Sequence, residues 1–373
     1  MKKKAPLVDR SIRMIASNGS DMHEKQQMTY SESAFKEGAA ALGEFEIIRR
    51  FFVPLSRSEP GALSLTDDAA VLSVAPEGSL VVSTDTIIAS RHFFPGDTAA
   101  DIAAKGLAVA FSDIAAMGAA PLAYTLSLSL PLAWESEQIS GWLEAFSAEL
   151  YVQQQAIGVG LAGGDTVGTP GPLSLTFTVF GIVDAKRALR RSNARPGDCV
   201  YVSGCIGDAA MGLSVLTGDL KELDEAQRDA LVQRFRRPRP RLTLGSHLAG
   251  VAHAAADVSD GLVADLGHIC NASGVQATIS AQQIPLSQAA RAALQANPAR
   301  MAQILSGGDD YELVFTAAPA AADEIARIAI EVDLPVTPIG RVDERTASRR
   351  QAVLVVDEDG RELASTLGGY SHF

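Results

Sequence analysis

The sequence feature that most constrains this chain is a set of solitary aspartates, each placed at the end of an apolar or glycine-rich segment. The first lies at residues 80–86, where a β-branched run predicts a buried strand that ends on Asp85. Asp85 is the only charged residue between Glu77 and Arg91. Burying an unpaired carboxylate is costly, so we expect a cation to meet Asp85 in the folded protein.

Other segments carry acidic residues of the same kind: Asp67 with Asp68, Asp113, Asp165, and Asp257 with Asp260. Asp113 is the only charged residue in positions 106–134, and Asp165 is the only one in positions 150–183. Hard divalent cations bind oxygen ligands, and Mg²⁺ is typically shared between carboxylates and substrate phosphates. The pattern therefore predicts that these aspartates converge on Mg²⁺ and a nucleotide.

Structural interpretations stay open for several of these acids. The acidic pair at residues 67–68 and Asp165 are also typical of turns. Asp260 could cap the helix that follows it, with Ser259 as the alternative cap. Asp113 is the hardest to explain structurally, because a solvated helix face would carry other charges beside it.

The sequence contains no standard phosphate-binding loop. Residues 158–163 match the spacing of the dinucleotide-binding glycine pattern, but that pattern must open a helix after a strand, and here a glycine- and proline-rich stretch follows. No lysine follows glycine as a Walker A motif requires. Bound phosphates would therefore depend on metal ions, backbone amides and arginine, for which Arg190 and Arg191 are candidates.

Composition is typical of an acidic globular protein. The chain has 373 residues, of which 47% are hydrophobic, a formal net charge of −12 and a pI near 5.0. This length allows roughly two domains, and the acidity argues against a nucleic-acid or membrane surface, either of which needs a basic patch. Cys199, Cys205 and Cys270 fit neither a disulfide framework nor a zinc signature, which favours a reducing cytoplasm. No apolar run reaches the ~18 residues of a transmembrane helix.

Hydrophobic periodicity predicts an α/β or α+β protein in layers, with two domains. Residues 1–42 are polar and lack periodicity, so we expect a flexible N-terminal extension there. The first domain spans residues 43–186. The charged and turn-rich segment 187–198 is the predicted junction, and residues 187–373 form a second, mixed α/β domain.

Individual elements of both domains follow from the same patterns. The predicted helices lie at 43–52, 101–117, 135–150, 209–216, 225–235, 261–273 and 321–331. The predicted strands lie at 69–73, 80–85, 124–130, 159–162, 173–183, 200–203, 254–257, 311–316, 336–341 and 352–356.

Taken in order along residues 43–373, the acidic segments and their neighbours resemble the motifs of the thiamine-monophosphate kinase family, within the aminoimidazole ribonucleotide synthetase superfamily. The motifs are Gly43-Glu44-Phe45, Asp67-Asp68-Ala69-Ala70, Ser83-Thr84-Asp85-Thr86, His92-Phe93, Ser112-Asp113-Ile114-Ala115, Gly163-Gly164-Asp165-Thr166, Ser259-Asp260-Gly261-Leu262 and Gly307-Gly308-Asp309-Asp310-Tyr311. The resemblance implies an enzyme that transfers the γ-phosphoryl group of ATP to thiamine monophosphate with the help of several Mg²⁺ ions. It also implies a two-domain fold in which the N-terminal domain forms a β-barrel across a homodimer.

The resemblance further implies roles for individual residues. The implied metal ligands are Asp68, Ser83, Thr84, Asp85, Asp113, Asp165, Asp257 and Asp260, with Asp113 and Asp260 as catalytic residues. The implied nucleotide-binding residues are Gly164, Asp165, Arg191 and Ser259, and the implied substrate-binding residues are His92, Asp309 and Leu367. Thr66, Asp309 and Leu367 stand where the family usually has glycine, glutamate and an aromatic residue. His92 lies beside aromatic residues, where a lone histidine is more often structural.

The implied chemistry agrees with the residue types. The acceptor is a phosphate oxygen that is already anionic at neutral pH, so positioning and charge neutralisation should matter more than a general base. Two alternatives stay open: another ATP-using member of the superfamily, such as selenophosphate synthetase, and a catalytically silent nucleotide-binding regulator. Selenophosphate synthetases carry a reactive cysteine or selenocysteine near the N-terminus, whereas the first cysteine here is Cys199.

Overall fold

The computed structural model describes residues 43–67, 69–74, 78–347 and 349–363. The described helices are α1 (Glu44–Ile47), α2 (Val53–Ser56), α3 (Ala99–Ala116), α4 (Ser136–Ile157), α5 (Asp208–Leu216), α6 (Glu225–Arg236), α7 (Leu242–Leu248), α8 (Leu262–Ser273), α9 (Gln288–Ala296), α10 (Arg300–Ser306) and α11 (Ala322–Glu331). The described strands are β1 (Ser79–Ile88), β2 (Ala120–Pro131), β3 (Leu161–Thr169), β4 (Ser174–Val183), β5 (Cys199–Ser203), β6 (Ala254–Asp257), β7 (Val275–Ser280), β8 (Leu313–Ala317), β9 (Val336–Glu344) and β10 (Val353–Val356).

The first sheet has four strands in the order β1-β4-β2-β3. Neighbouring strands are antiparallel except β2 and β3, which are parallel and are joined through α4. Helices α3 and α4 supply one side of the core beneath this sheet, where Phe111, Tyr124, Phe146 and Phe177 are fully buried. The opposite face of the sheet is left uncovered by helices in the described part of the chain.

Strand β1 is an edge strand, so the prediction that it is buried was wrong. Its residues alternate between partly buried and exposed positions, and Leu80 and Val82 are 46% and 53% exposed. The β-branched run forms a strand as expected, but only its odd-numbered side chains, including Ser83 and Asp85, face α3. Side chains alternate between the faces of any strand, and only one face of this sheet is covered.

The second sheet has six strands in the order β10-β7-β9-β5-β8-β6 and is antiparallel except between β10 and β7. Helices cover both of its faces. Met211 of α5 and Leu266 of α8 belong to the core on one face, and Leu244 of α7 and Ile325 of α11 belong to the core on the other. Strand β8, which is apolar except for Thr316, is fully buried as a result.

Helix α3 brings the two sheets together. Its last turn contacts α7 so closely that a Cβ atom on Gly245 would lie 2.1 Å from the Ala115 carbonyl oxygen. The amide of Leu189 donates to the Met117 carbonyl just beyond the helix, at 3.1 Å. Thr98 caps the first turn, and Gly118, with φ of +67°, follows the last one. Asp113 is thereby fixed between the first sheet and the second.

The α/β fold in layers was predicted correctly, but several elements were not. Residues 69–73 do not form the predicted strand, because Val71 donates to the Gly61 carbonyl of a preceding turn instead of pairing with a sheet. Helices α7, α9 and α10 and strand β7 were not predicted. The expectations for residues 1–42 lie outside the described residues. None of the described helices is long and apolar enough to cross a membrane.

Candidate active site

A cavity of about 800 Å³ lies between the first sheet, α3 and the loops that follow β6 and α10. The charged side chains in its lining are mostly acidic: Asp85, Asp113, Asp257, Asp260 and Asp309, with Arg91 and Lys105 as the basic residues. Thr84, His92 and Ser259 line it as well. The cavity therefore collects Asp85, Asp113, Asp257 and Asp260, which are distant in sequence, whereas Asp165 does not line it.

Asp85 and Asp113 form the acidic centre of the cavity. The Ser83 hydroxyl donates a hydrogen bond to Asp113 across the gap between β1 and α3. Burial, and then the nearby charge of Asp113, raises the pKa of Asp85 from 3.8 to about 6. Asp85 Oδ2 is buried and finds no hydrogen-bond partner in the described part of the chain. Among the described residues, no lysine or arginine forms an ion pair with either of these carboxylates.

Asp257 extends the acidic centre from the second sheet. It ends β6 and is 3% exposed. Burial raises the pKa of Asp257, and the charges of Asp113 and Asp265 act in the same direction. Arg191, in the turn before β5, opposes the shift and is therefore close to this carboxylate. The predicted nucleotide-binding arginine lies beside the acidic centre, although it does not line the cavity itself.

The loop after β6 is held in place by Asp265 of α8. Asp265 Oδ2 accepts hydrogen bonds from the amides of Ser259 (3.0 Å), Asp260 (3.0 Å) and Gly261 (3.2 Å). The structural interpretation in which Ser259 or Asp260 caps α8 was wrong, because Gly261 precedes the helix and no side chain caps it. The Asp260 side chain lines the cavity. One of its carboxylate oxygens lies within 4.8 Å of a carboxylate oxygen of Asp265 and a ring nitrogen of His268.

The glycine-rich loop before β8 places Asp309 in the cavity. The Asp309 amide donates to the Ser259 carbonyl at 2.9 Å. A Cβ atom on Gly308 would lie 2.1 Å from that same carbonyl oxygen, so only glycine fits there. Asp310, the next residue, points away and accepts from the amides of Gly207 (2.6 Å) and Ala209 (3.1 Å) at the start of α5. The two adjacent acids therefore have different roles.

His92 makes a structural contact and also lines the cavity, so it fits both a structural and a substrate-binding interpretation. Its Nδ1 accepts a hydrogen bond from the Ile88 amide at 3.1 Å, which fixes the ring against the end of β1. The same side chain lines the cavity. A structural contact on one ring nitrogen thus orients the histidine toward the space where a substrate would bind.

Asp165 does not reach the acidic centre of its own chain. It lies within β3 rather than in a turn, level with Ser127 of β2 and Thr176 of β4 on the uncovered face of the sheet. Asp85 points to the other face. Strands β1 and β3 are three strand spacings apart, which puts Asp165 on the order of 14 Å from Thr86. Gly164 precedes Asp165 in β3 and does not line the cavity. Asp68 and Leu367 lie outside the described residues.

Sequence reasoning missed two residues of the site, Lys105 and Asp265. Lys105 is 3% exposed and lines the cavity beside Asp309. It is the only lysine or arginine between Arg91 and Lys186, so a search for solitary charges of either sign would also have found it. Asp265 carries no such signal, because its role depends on three amides that only the folded loop brings together.

The two sheets and the acidic cavity define an AIR synthase-related protein. The family described as "AIR synthase related protein, N-terminal domain" matches residues 66–183, and its C-terminal domain counterpart matches residues 195–353. The thiamine-monophosphate kinase of Escherichia coli K12 is 41% identical over 339 residues, which cover 89% of this chain and 99% of that protein. This chain belongs to the thiamine-monophosphate kinase family.

Solved structures give the same relationship. The crystal structure of thiamine-monophosphate kinase from Stenotrophomonas maltophilia K279a matches with a TM-score of 0.73 at 41% identity, covering 84% of this chain and 97% of that one. The structure of AaThiL complexed with AMPPCP and TMP matches with a TM-score of 0.68 at 28% identity, covering 91% and 100%. The two-domain AIR synthase-like fold predicted from the sequence is thereby confirmed.

Proposed function

We propose that this protein is a thiamine-monophosphate kinase, which transfers the γ-phosphoryl group of ATP to the phosphate of thiamine monophosphate and releases thiamine diphosphate and ADP. The observation that carries the proposal is the 41% identity to a thiamine-monophosphate kinase over 89% of the chain. The acidic cavity supports it, because its lining gathers the aspartates of four of the shared motifs. AaThiL, a relative of the same fold, was solved with AMPPCP and TMP.

The residues of the cavity fit several Mg²⁺ ions. In the described part of the chain, no lysine or arginine lies within 4.0 Å of the carboxylates of Asp85, Asp113, Asp257 or Asp260. The unpartnered Asp85 Oδ2 and the raised pKa of Asp85 both indicate a missing positive charge. Mg²⁺ prefers oxygen ligands of this kind. The proposed ligands are Asp68, Ser83, Thr84, Asp85, Asp113, Asp165, Asp257 and Asp260.

The reaction class explains why the site is rich in aspartate and poor in histidine. A bound Mg²⁺ neutralises phosphate charge and lets two polyanions approach in line. The acceptor oxygen needs no base, so the chain's own residues position rather than transfer protons. We assign catalytic roles to Asp113 and Asp260, nucleotide binding to Gly164, Asp165, Arg191 and Ser259, and acceptor binding to His92, Asp309 and Leu367.

We also propose a homodimer in which the uncovered face of the first sheet meets the same face of a second copy and closes a β-barrel. Leu80, Val82 and Val167 lie on this face and are 46%, 53% and 47% exposed. An exposed apolar sheet face of this kind normally marks an interaction surface. Asp165 lies on the same face, so the dimer would let it serve a site that its own chain cannot complete.

The organisation of the chain follows from the same proposal. Residues 43–186 form the nucleotide-binding and dimerisation domain, residues 187–373 form the C-terminal domain, and residues 1–42 are an extension outside the catalytic fold. All three cysteines are free thiols, which suits a reducing cytoplasm. The net charge of −12 argues against nucleic-acid and membrane partners.

The acceptor assay tests the proposed function directly. Purified protein is incubated with ATP and Mg²⁺ together with either thiamine monophosphate or free thiamine, and the products are separated by chromatography. We expect thiamine diphosphate and ADP from the monophosphate only, and neither product when the metal is chelated. ADP without thiamine diphosphate would identify a different acceptor. Nucleotide binding without turnover would identify a regulator.

A further inference from the structure

Lys105 is a buried lysine in the proposed active site, and the proposed function gives it no role. It lies on α3, and its side chain is 3% exposed. Its Nζ atom is 2.9 Å from Asp309 Oδ2 and 3.7 Å from the centroid of the Phe235 ring. Lysine is almost never fully buried unless it is paired. The Lys105 ammonium, the Asp309 carboxylate and the Phe235 ring therefore meet at one point in the cavity wall.

Lys105 lines the cavity about two helical turns before Asp113. Lys105, Val109 and Asp113 all line the cavity and are spaced four residues apart on one face of α3. Eight residues of α-helix correspond to about 12 Å. The Lys105 ammonium is instead held by Asp309, at 2.9 Å.

The surroundings of Lys105 suit an organic ring better than a phosphate. Phe94 and Phe235 lie with their ring centroids 6.3 Å apart, and both line the cavity together with Leu213. Asp309 accepts a hydrogen bond from the Tyr311 hydroxyl at 3.0 Å on its other carboxylate oxygen. The Asp309 carboxylate is consequently fixed from two sides beside an aromatic and apolar wall.

The backbone that carries Asp309 also needs this support. Asp309 and Tyr311 have φ of +68° and +51°, values that are uncommon for residues with a side chain. Of the acids in the cavity lining, Asp309 alone is ion-paired with a basic residue among the described residues. Lys105 thus balances the charge of Asp309, whereas the other carboxylates of the lining have no ion-pair partner in the part of the chain that the structure describes.

We propose that Lys105 is a positioning residue for acceptor specificity: it fixes and neutralises Asp309 so that this carboxylate orients the heteroaromatic part of the acceptor at the aromatic end of the cavity. The proposal deepens the proposed function and rests on it. Lys105 acts through Asp309, not on the phosphates. Its loss should therefore weaken acceptor binding without weakening ATP binding.

The test is a variant set assayed by steady-state kinetics with each substrate varied in turn. Lys105→Met keeps the length of the side chain and its contact with Phe235 but removes the charge. We expect the KM for thiamine monophosphate to rise roughly tenfold or more, equivalent to about 1.4 kcal/mol, with kcat and the KM for ATP changed less than about threefold. Asp309→Asn should show the same pattern. Lys105→Arg keeps the charge and should recover part of the acceptor affinity.

The double variant Lys105→Met/Asp309→Asn separates the positioning role from direct binding. If Lys105 acts through Asp309, the double variant is no worse than Asp309→Asn alone. Effects that multiply would overturn the proposal, because they would show that the lysine contacts the ligand independently. An equal rise in the KM for ATP would overturn it as well.

A matched control distinguishes positioning from stability. Arg236 and Asp97 form another ion pair between α6 and the start of α3, at 2.7 Å, and neither residue lines the cavity. Arg236→Met should lower the melting temperature without changing either KM. If Lys105→Met is too unstable to assay, Lys105→Arg and calorimetric titration of thiamine monophosphate without ATP give the same comparison. Wild-type protein that makes no thiamine diphosphate would refute the proposed function, whereas active wild type with unchanged Lys105→Met kinetics would refute only this inference.

Discussion

Asp113 is the residue at which the acidic elements of the site meet. It accepts a hydrogen bond from Ser83 of the first sheet, and its charge raises the pKa of both Asp85 and Asp257. It therefore adds to a repulsion that Arg191 relieves only in part, at Asp257. In the proposed function, a bound Mg²⁺ would relieve this repulsion.

Asp113→Asn should abolish activity while leaving the protein folded. The amide keeps the shape of the side chain and its contact with Ser83 but removes the charge of a proposed metal ligand. We expect kcat to fall about 100-fold or more, with an unchanged or slightly higher melting temperature in the absence of Mg²⁺. Asp229→Asn, an exposed acid on α6, is the control. An Asp113→Asn protein that unfolds, together with a parent indifferent to Mg²⁺, would make Asp113 a structural acid.

The raised pKa of Asp85 predicts how stability depends on pH and metal. Because its pKa in the folded protein is about 6 rather than 3.8, the folded state binds the proton more tightly than the unfolded state does. Without Mg²⁺, stability should therefore fall as the pH rises from about 4 through about 6. Mg²⁺ favours the ionised carboxylate, so it should raise the melting temperature by a few degrees more at about pH 8 than at about pH 5. Thermal melts measure this, and an equal shift at both pH values would contradict it.

At the level of elements, the loop after β6 depends on one carboxylate of the following helix. Asp265 accepts hydrogen bonds from three consecutive amides and so fixes the position of Ser259 and Asp260. Asp265→Asn removes the negative charge toward which these three amides point. We expect a loss of about 1–3 kcal/mol in the free energy of unfolding and a weaker response to Mg²⁺.

The control for Asp265→Asn is Asp323→Asn. Asp323 lies in the first turn of α11 and is exposed. Its substitution should cost only the small electrostatic contribution of an acid at a helix N-terminus. Chemical denaturation of both variants gives the comparison, and equal losses would show that Asp265 does no more than any first-turn acid.

The sequence predicted elements well where their pattern is local. The alanine-rich α3, the alternating β2 and the mostly apolar β8 each have a sequence pattern that predicts the type of element. The wrong predictions concern properties that depend on contacts between segments distant in sequence. The β-branched residues of β1 cannot show that this strand lies at the edge of its sheet, because strand order depends on pairing with β4, which is distant in sequence.

For the whole molecule, the acids were predicted to converge, and the chain divides them between two faces of one sheet. Asp85 faces α3, whereas Asp165 lies on the uncovered face near the opposite edge. No sequence pattern could show this division, since it follows from the parallel pairing of β2 with β3 that sets Asp165 level with Ser127. If both residues serve catalysis, a second copy of the chain has to bring them together.

Mixing two inactive variants tests this arrangement. Asp113→Asn and Asp165→Asn proteins should each be inactive as pure dimers. After unfolding and refolding together, about half of the dimers would be mixed, and one of the two sites in each would combine intact Asp113 from one protomer with intact Asp165 from its partner. We expect activity to recover to about a quarter of the wild-type value, because a quarter of the sites would then be complete. A Val82→Arg substitution in both chains should prevent recovery and leave particles of 39.1 kDa by light scattering. Dimers that form normally but recover no activity would place Asp165 in the site of its own chain or in none.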